Sequence, residues 1–316
     1  MNRVGIGKLR NPGIENKFFK QLKSQQLLLL MTLPFLIHLI IFRYIPLVGW
    51  IMAFQDYKPA IGMFSQKFVG LKHFIDLFKD ITFFMALRNT IAMASIKLVL
   101  GTFFAILTAV LINETKSRSF KKSVQVISYL PHFVSWVVAA NIVLDFLSPS
   151  GLLNNILVGT GILSEPILFM GNPKNFWWII GWSHVWKSAG FGAIIYLSAM
   201  TAIDPQLYEA ASIDGCGRMG KIWNITLPSI KPTIIILLIM NIGHLLDAGF
   251  EQQYLLKNNL VMDYSEVFDI YVLRYAFEHY RFSFAAAAGI FKSTVSIILL
   301  LSANLVAKSL DQETLM

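Results

Sequence analysis

Asn241, His244 and Asp247 recur every three residues in a stretch otherwise rich in Ile, Leu and Met. At that spacing the three polar groups can share one face of a helix. An amide, an imidazole and a carboxylate side by side can bind sugar hydroxyls, relay a proton, or hydrogen-bond a neighbouring helix. Asn141 and Asp145, four residues apart, repeat the pattern in another apolar run. A third run carries Trp182, Ser183, Trp186, Lys187 and Tyr196, and a fourth carries Lys292. A pyranose has hydroxyls at its rim and C–H groups on its face, so polar side chains beside indoles and phenols suit a carbohydrate. Each feature has a structural rival. Trp177 and Trp178 read as belt residues at a membrane interface, Lys187 and Lys292 as partners of acids in another subunit, and the triplet as helix–helix bonding.

Catalytic chemistry is not indicated. Cys216, the single cysteine, sits in a glycine turn with no histidine near it in sequence. His132, His184 and His244 fall in different apolar runs without metal-type spacing. No G-x-x-x-x-G-K-[ST] loop occurs, so ATP binding by this chain is not expected. The expectation is a protein without enzymatic activity, metal or cofactor of its own.

The elements that position these residues follow from composition. Only 14% of the 316 residues are charged, against about 25% in an ordinary soluble domain. A net charge of +9 without a wetted basic face does not suit nucleic acid. A bilayer core takes about 20 apolar residues as a helix, and six runs approach that length: 27–54, 87–112, 124–147, 176–200, 232–250 and 284–307. The first is interrupted by Pro34, Arg43 and Pro46 and is too long, with too long a basic leader, for a cleavable signal. The predicted fold is an all-α integral membrane protein with six transmembrane helices. Residues 1–26 form a basic tail, 27–307 the membrane domain and 308–316 a C-terminal tail.

Lys and Arg mark cytoplasmic edges. The first tail holds Arg3, Lys8, Arg10, Lys17, Lys20 and Lys23 against Glu15, and the 113–123 connection holds Lys116, Arg118, Lys121 and Lys122 against Glu114. The 251–281 connection is acidic on balance. Both termini and the 204–231 connection are therefore expected in the cytoplasm.

That connection, about 30 residues long, has helix signals of its own. Asp204–Pro205 is an acidic N-cap followed by proline at the first helical position. Gln206–Ile213 suits a helix whose Ala210 and Ala211 leave a thin side, and Gly215 and Gly217 can supply positive dihedrals. A second short helix is expected from Arg218 to Thr226, stopped by Pro228 and Pro232, which start the fifth span. Small residues beside Glu209 describe a docking knob, since a carboxylate there can pair with a partner's Arg or Lys.

The string E-A-A-x-x-D-G-x-x-x-x-x-x-W-x-I-x-L-P-x-x-x-P, carried by Glu209, Ala210, Ala211, Asp214, Gly215, Trp223, Ile225, Leu227, Pro228 and Pro232, resembles the cytoplasmic signature of ABC-importer permease subunits. Cys216 stands where that signature usually has alanine, and Ile222 where it usually has an aromatic, with Trp223 adjacent. "LPFLIHLIIFRYIPLVGWIMAFQDYKP" (33–59), "GFEQQYLL" (249–256), "DIYVLRYAF" (269–277) and "FSFAAAAGIFKSTVSIILLLSANLVAKSL" (282–310) resemble the polysaccharide-import branch. The resemblance covers most of the chain and is weakest in 148–175.

It implies half of a translocation pathway in a bacterial cytoplasmic membrane. The implied partners are a homologous second permease, two ATP-binding subunits that hold the ATP and Mg, and an extracytoplasmic solute-binding protein. Coupling would run through Glu209, Ala210, Ala211, Asp214, Gly215, Cys216, Gly217, Trp223, Leu227 and Pro228. The implied cargo is an oligosaccharide, and Arg43, Lys97, Lys187 and Lys292 are compatible with an acidic, uronate-type one. The alternatives are another solute class or a proton-coupled secondary transporter using Asp145, Asp247 or His244. A membrane enzyme acting on lipid is a further class, for which no converging acids are visible.

Overall fold

The computed structural model describes residues 24–247, 249–310 and Thr314. The basic residues Arg3 to Lys23 and most of the C-terminal tail lie outside the described residues. Residues up to Met52 and those from Ala53 onward form two compact units.

In the first unit, α1 (Gln26–Leu39) runs on through a wide π turn at Ile40–Tyr44 into a tighter 3₁₀ stretch from Ile45. Both changes of winding flank Arg43 and Pro46, two of the residues that interrupt the apolar run.

The second unit is helical throughout its described length apart from connections and one isolated bridge between Gln55 and Phe68. After α2 (Lys72–Lys79), Asp80 caps the 34-residue α3 (Ile81–Glu114). The Asp80 carboxylate accepts from the Thr82 amide at 2.9 Å, and from the hydroxyls of Tyr271 at 2.8 Å and Tyr275 at 2.6 Å. It thereby ties the start of α3 to a helix almost 200 residues away in sequence.

The run expected at 124–147 is not one helix. It is divided into α4 (Arg118–Phe133) and α5 (Trp136–Leu147). Pro131 removes a donor in the last turn of α4, and Ser135, extended, caps the new helix by accepting from the Val138 amide. A tight turn then leads into α6 (Leu152–Gly159). Buried Asn154 organises the following connection, donating to the Ser148 and Ile167 carbonyls and accepting from the Ile167 amide.

The centre of the unit is α7 (Pro173–Thr201) packed along α3. Glycines allow the approach of its neighbours. A Cβ at Gly181 would stand 2.5 Å from the Ile96 side chain, and one at Gly190 only 2.1 Å from the Ser128 carbonyl of α4. Ala105, Ala109 and Ala193 continue the seam into a core with Tyr196, Met200 and Ile230. Small residues at such a seam bring backbones close and gain dispersion over a long contact.

Next come α8 (Pro205–Ile213), α9 (Arg218–Lys221), a π turn at Ile222–Thr226 and α10 (Leu227–Gly243). Pro228 and Pro232 were expected to stop one helix and start another. Instead Arg218–Gly243 is a single helical stretch of 26 residues. The wide turn lies just before Pro228, where the hydrogen-bond ladder changes register and a missing amide is best tolerated. The chain then reverses at His244–Leu246 and continues as α11 (Phe250–Leu256), α12 (Met262–Ser265), α13 (Phe268–Phe277) and α14 (Phe282–Ser309). Phe83, Phe268, Tyr271, Phe284 and Ala288 join α3, α13 and α14 in a second core.

Five stretches among the described residues are long and apolar enough to cross a membrane: Gln26–Phe54, Ile81–Glu114, Trp136–Gly159, Arg218–Gly243 and Phe282–Ser309. α7 has the length, but its Trp, Ser, His and Lys side chains leave it outside that set.

Candidate functional site: a helical elbow and an intramembrane cavity

The elbow is built from its caps outward. Asp204 accepts from the Gln206 amide at 2.9 Å, and Pro205 opens α8. The helix ends where Gly215 takes φ +73° and the Cys216 amide bonds back to the Ala211 carbonyl at 2.8 Å. Gly217 does not share the positive dihedral expected of it; it is extended and precedes α9. A Cβ at Gly220 would lie 2.6 Å from the Cys216 sulfur, so these two small residues fit one another.

Two polar staples close the elbow on itself and a third ties it to the rest of the chain. The Tyr208 and Thr226 hydroxyls share a hydrogen bond of 2.9 Å, with Thr226 buried in the π turn. Lys221 donates to the Ser212 hydroxyl at 2.6 Å. Arg218 donates to the Glu114 carbonyl at 2.8 Å and pairs with its carboxylate at 3.2 Å, joining the elbow to the end of α3.

The other side of α8 is bare. Glu209, Ala210, Asp214 and Gly215 are exposed, as is Ile213 at 87%, and no residue of α8 is buried. Ala211, Cys216 and Leu227 are half-buried, and Pro228 is exposed. Ile222 is half-buried while Trp223 is 64% exposed, so Ile222 is the one packed against the chain.

Among the intramembrane candidates, Asn241, His244 and Asp247 do not share one helix face, because α10 ends at Gly243 and the last two lie in the reversal that follows. The reversal still gathers them. They line a cavity of about 210 Å³ together with Lys97, Gly101 and Thr102 of α3 and His184 of α7. Asp247 pairs with Lys292 at 2.5 Å and with His244 at 3.2 Å, and Lys292 reaches Asp269 of α13 at 2.6 Å. Lys292 therefore finds its acids within this chain.

Lys187 is likewise engaged internally. It is 6% exposed, donates to the His132 carbonyl at the end of α4 and lies 5.2 Å from the Trp136 ring centre. Trp182 and Trp186 line a second, mostly apolar cavity of about 700 Å³ with Trp178, Ile142 and Phe146. Tyr196 is in the core, and Asn141 and Asp145 are exposed on α5, beside Ile142 and Phe146 of the second cavity but not among its lining residues.

Sequence reasoning named Lys97 only as a basic residue compatible with an acidic cargo, and left Thr102 and His184 out of the candidate site. Lys97 and Gly101, one turn apart on α3, carry the signal that was available: a cation beside a thin patch of helix. The GFEQQYLL segment folds as α11, and buried Gln252 there donates to the Ile180 carbonyl and the Ser183 hydroxyl, fixing it against α7.

A bundle of apolar helices carrying an exposed elbow, with polar side chains turned to an interior cavity, is the architecture of a membrane transport subunit. Residues 101–313 match the family described as "Binding-protein-dependent transport system inner membrane component", and the chain belongs to that family of ABC-importer permeases, which transport rather than catalyse. The Polygalacturonan/rhamnogalacturonan transport system permease protein YteP of Bacillus subtilis (strain 168) is 41% identical over 312 residues, covering 96% of this chain and 97% of that protein. Protein LplB of the same organism is 39% identical, covering 93% and 92%. Among solved structures, a chain of a bacterial alginate ABC transporter, in complex with its alginate pentasaccharide-bound periplasmic protein, superposes with a TM-score of 0.84 at 39% identity. The match covers 92% of this chain and 97% of that one.

Proposed function

We propose that this chain is one half of the translocation pathway of an ATP-driven importer for acidic oligosaccharides or polysaccharide fragments. What carries the reading is near-complete coverage, at about 40% identity, by two proteins named for acidic sugar polymers: a polygalacturonan/rhamnogalacturonan permease and an alginate transporter. Six crossings are proposed, α7 joining the five apolar stretches and α4–α5 completing the third across its break. The charge bias supports cytoplasmic termini and a cytoplasmic elbow. The partners are a second permease, two ATP-binding subunits that hold ATP and Mg, and an extracytoplasmic binding protein that delivers the sugar.

The coupling mechanism follows from the elbow. Glu209, Ala210, Ala211 and the Asp214–Gly217 turn dock in a cleft of an ATP-binding subunit. When that subunit closes on ATP, α8 moves with it, and the Tyr208–Thr226 bond delivers the motion to the start of the fifth span. Alternating access then follows from differential contacts in the two states. Trp178, Trp182 and Trp186, with the Asn241–His244–Asp247 reversal and Asn141 and Asp145, are the candidate pathway groups.

The test is ATP hydrolysis by the reconstituted complex with its binding protein, stimulated by a panel of neutral and uronate oligosaccharides. Uronates are expected to stimulate. Stimulation by neutral sugars alone would refute the acidic class.

A further inference from the structure

The third crossing proposed above consists of two helices whose surroundings differ. No residue of α4 is buried. In α5, Ala139 and Ala140 are buried, and Ala140 packs in a core with Phe176 and Ile180 of α7 and Leu256 of α11. α5 is thus seated in the bundle, whereas α4 lies against it. Few buried contacts mark an element of low local stability. Where α4 does meet α7, the Ser128 backbone comes close to Gly190, and the His132 ring stacks on Phe191 with centroids 3.9 Å apart.

Between the two helices Val134 and Ser135 are extended, with ψ of 135° and 154°. A buried cation from α7 reaches across them. Lys187 donates to the His132 carbonyl in the last turn of α4, and its ammonium lies 5.2 Å from the ring centre of Trp136, the first residue of α5. The C-terminal end of a helix carries partial negative charge, so a cation is favoured there. A charge at membrane depth is still expensive, and a neutral donor would serve a fixed kink. An ammonium on a flexible four-carbon stem has three rotatable donors, so it can keep hold of a carbonyl and a ring that move apart.

The two halves are also tied to different elements. α4 follows α3 after residues 115–117, and Glu114 at the end of α3 is the residue that Arg218 of the elbow holds. α5 leads instead into α6 and packs on α11. We propose that Val134–Ser135 is a hinge in the third span and that Lys187 is the positioning residue that pins it. Movement of the elbow reaches α4 through the Arg218–Glu114 contact and swings it, while α5 stays with the bundle. The proposal rests on the coupled-importer reading above and adds a second path of coupling to the one through Tyr208 and Thr226.

The experiment is a spin-label distance measurement by pulsed electron resonance on the complete complex in lipid nanodiscs, in a Cys216→Ala background. Labels are attached through Ser123→Cys on α4 and Val137→Cys on α5, both exposed positions. A reference pair uses Val137→Cys with Ser198→Cys, exposed on α7. Between the nucleotide-free complex and the complex trapped with ADP and vanadate, the first distance is expected to shift by more than its own width. The reference distance should stay constant. An unchanged first distance overturns the hinge, and so does a shift in both pairs, because α5 then moves as well. Lys187→Met should broaden the nucleotide-free first distance. It should also lower the sugar transported per ATP by about tenfold, the scale of one charge-assisted hydrogen bond. Lys187→Arg should keep both near wild type. A distance as narrow in Lys187→Met as in wild type overturns the pin, and Trp136→Leu, which removes only the ring, decides it if Lys187→Met does not assemble. Uronate-stimulated ATP hydrolysis by the wild type is independent of these distances, so failure of the hinge and failure of the proposed function are separable.

Discussion

At the elbow, Tyr208 and Ser212 of α8 bond to Thr226 and Lys221, and the helix leaves Glu209, Ala210 and Ile213 exposed. Within the bundle the order is reversed. Lys187 and Lys292 are satisfied by groups of the same chain. The difference separates two uses of polarity. On the exposed helix, the staples fix the element and leave a free face. Inside the bundle most polar groups are consumed in holding helices together, so a charge in a span is not by itself part of a pathway.

The largest effect expected from attacking that distinction is at Lys292. Replacing it with Met would leave Asp247 and Asp269 facing each other without their cation, at a cost of about 3 kcal/mol. Thermal unfolding of the purified complex measures this, and Asp269→Asn in the same background should restore part of it. An unaltered midpoint would mean that Lys292 is not structural.

Asp80 gives an intermediate case, a carboxylate held by neutral donors. Burial raises its pKa, but hydrogen bonds from Thr82, Tyr275 and Tyr271 outweigh this and set it below the ordinary 3.8. Its contribution is then fully present above about pH 4 and is lost as pH falls through the lowered native value. Asp80→Asn should cost about 1–2 kcal/mol at neutral pH and flatten the acid limb of the stability profile. A mutant with the same acid limb as wild type would assign that limb to other groups.

The smallest effect on stability belongs to the elbow. Tyr208→Phe removes one hydrogen bond, about 1 kcal/mol, yet it should lower substrate-stimulated ATP hydrolysis, as should Glu209→Lys, while the complex still assembles. If both variants hydrolyse ATP like the wild type, the elbow is not the coupling element.

Most of the elbow could be read from the chain because its signals are local: Asp204–Pro205 caps, Gly215 reverses, and neither depends on distant partners. The break at Val134–Ser135 was missed although Ser135 is a good cap, because apolar residues on both sides masked it. Pro228 misled for a different reason. Proline reports a missing amide, and whether a helix stops there depends on how the preceding turn winds. The gathering of Lys97, His184 and the Asn241–Asp247 reversal around one cavity was out of reach, since it requires Gly181 and Gly190 to draw α7 against its neighbours.

The π turn at Ile222–Thr226 holds one residue more than an α-helical turn would need. It lies on the covalent path from the bare face of α8 into the apolar stretch that follows. One residue of α-helix corresponds to about 1.5 Å of length and about 100° of rotation. This span thus carries a small reserve of slack at its root, on the same turn that Thr226 anchors to Tyr208. A rod pushed from its end transmits force along its axis; one with slack at its base can also transmit a twist.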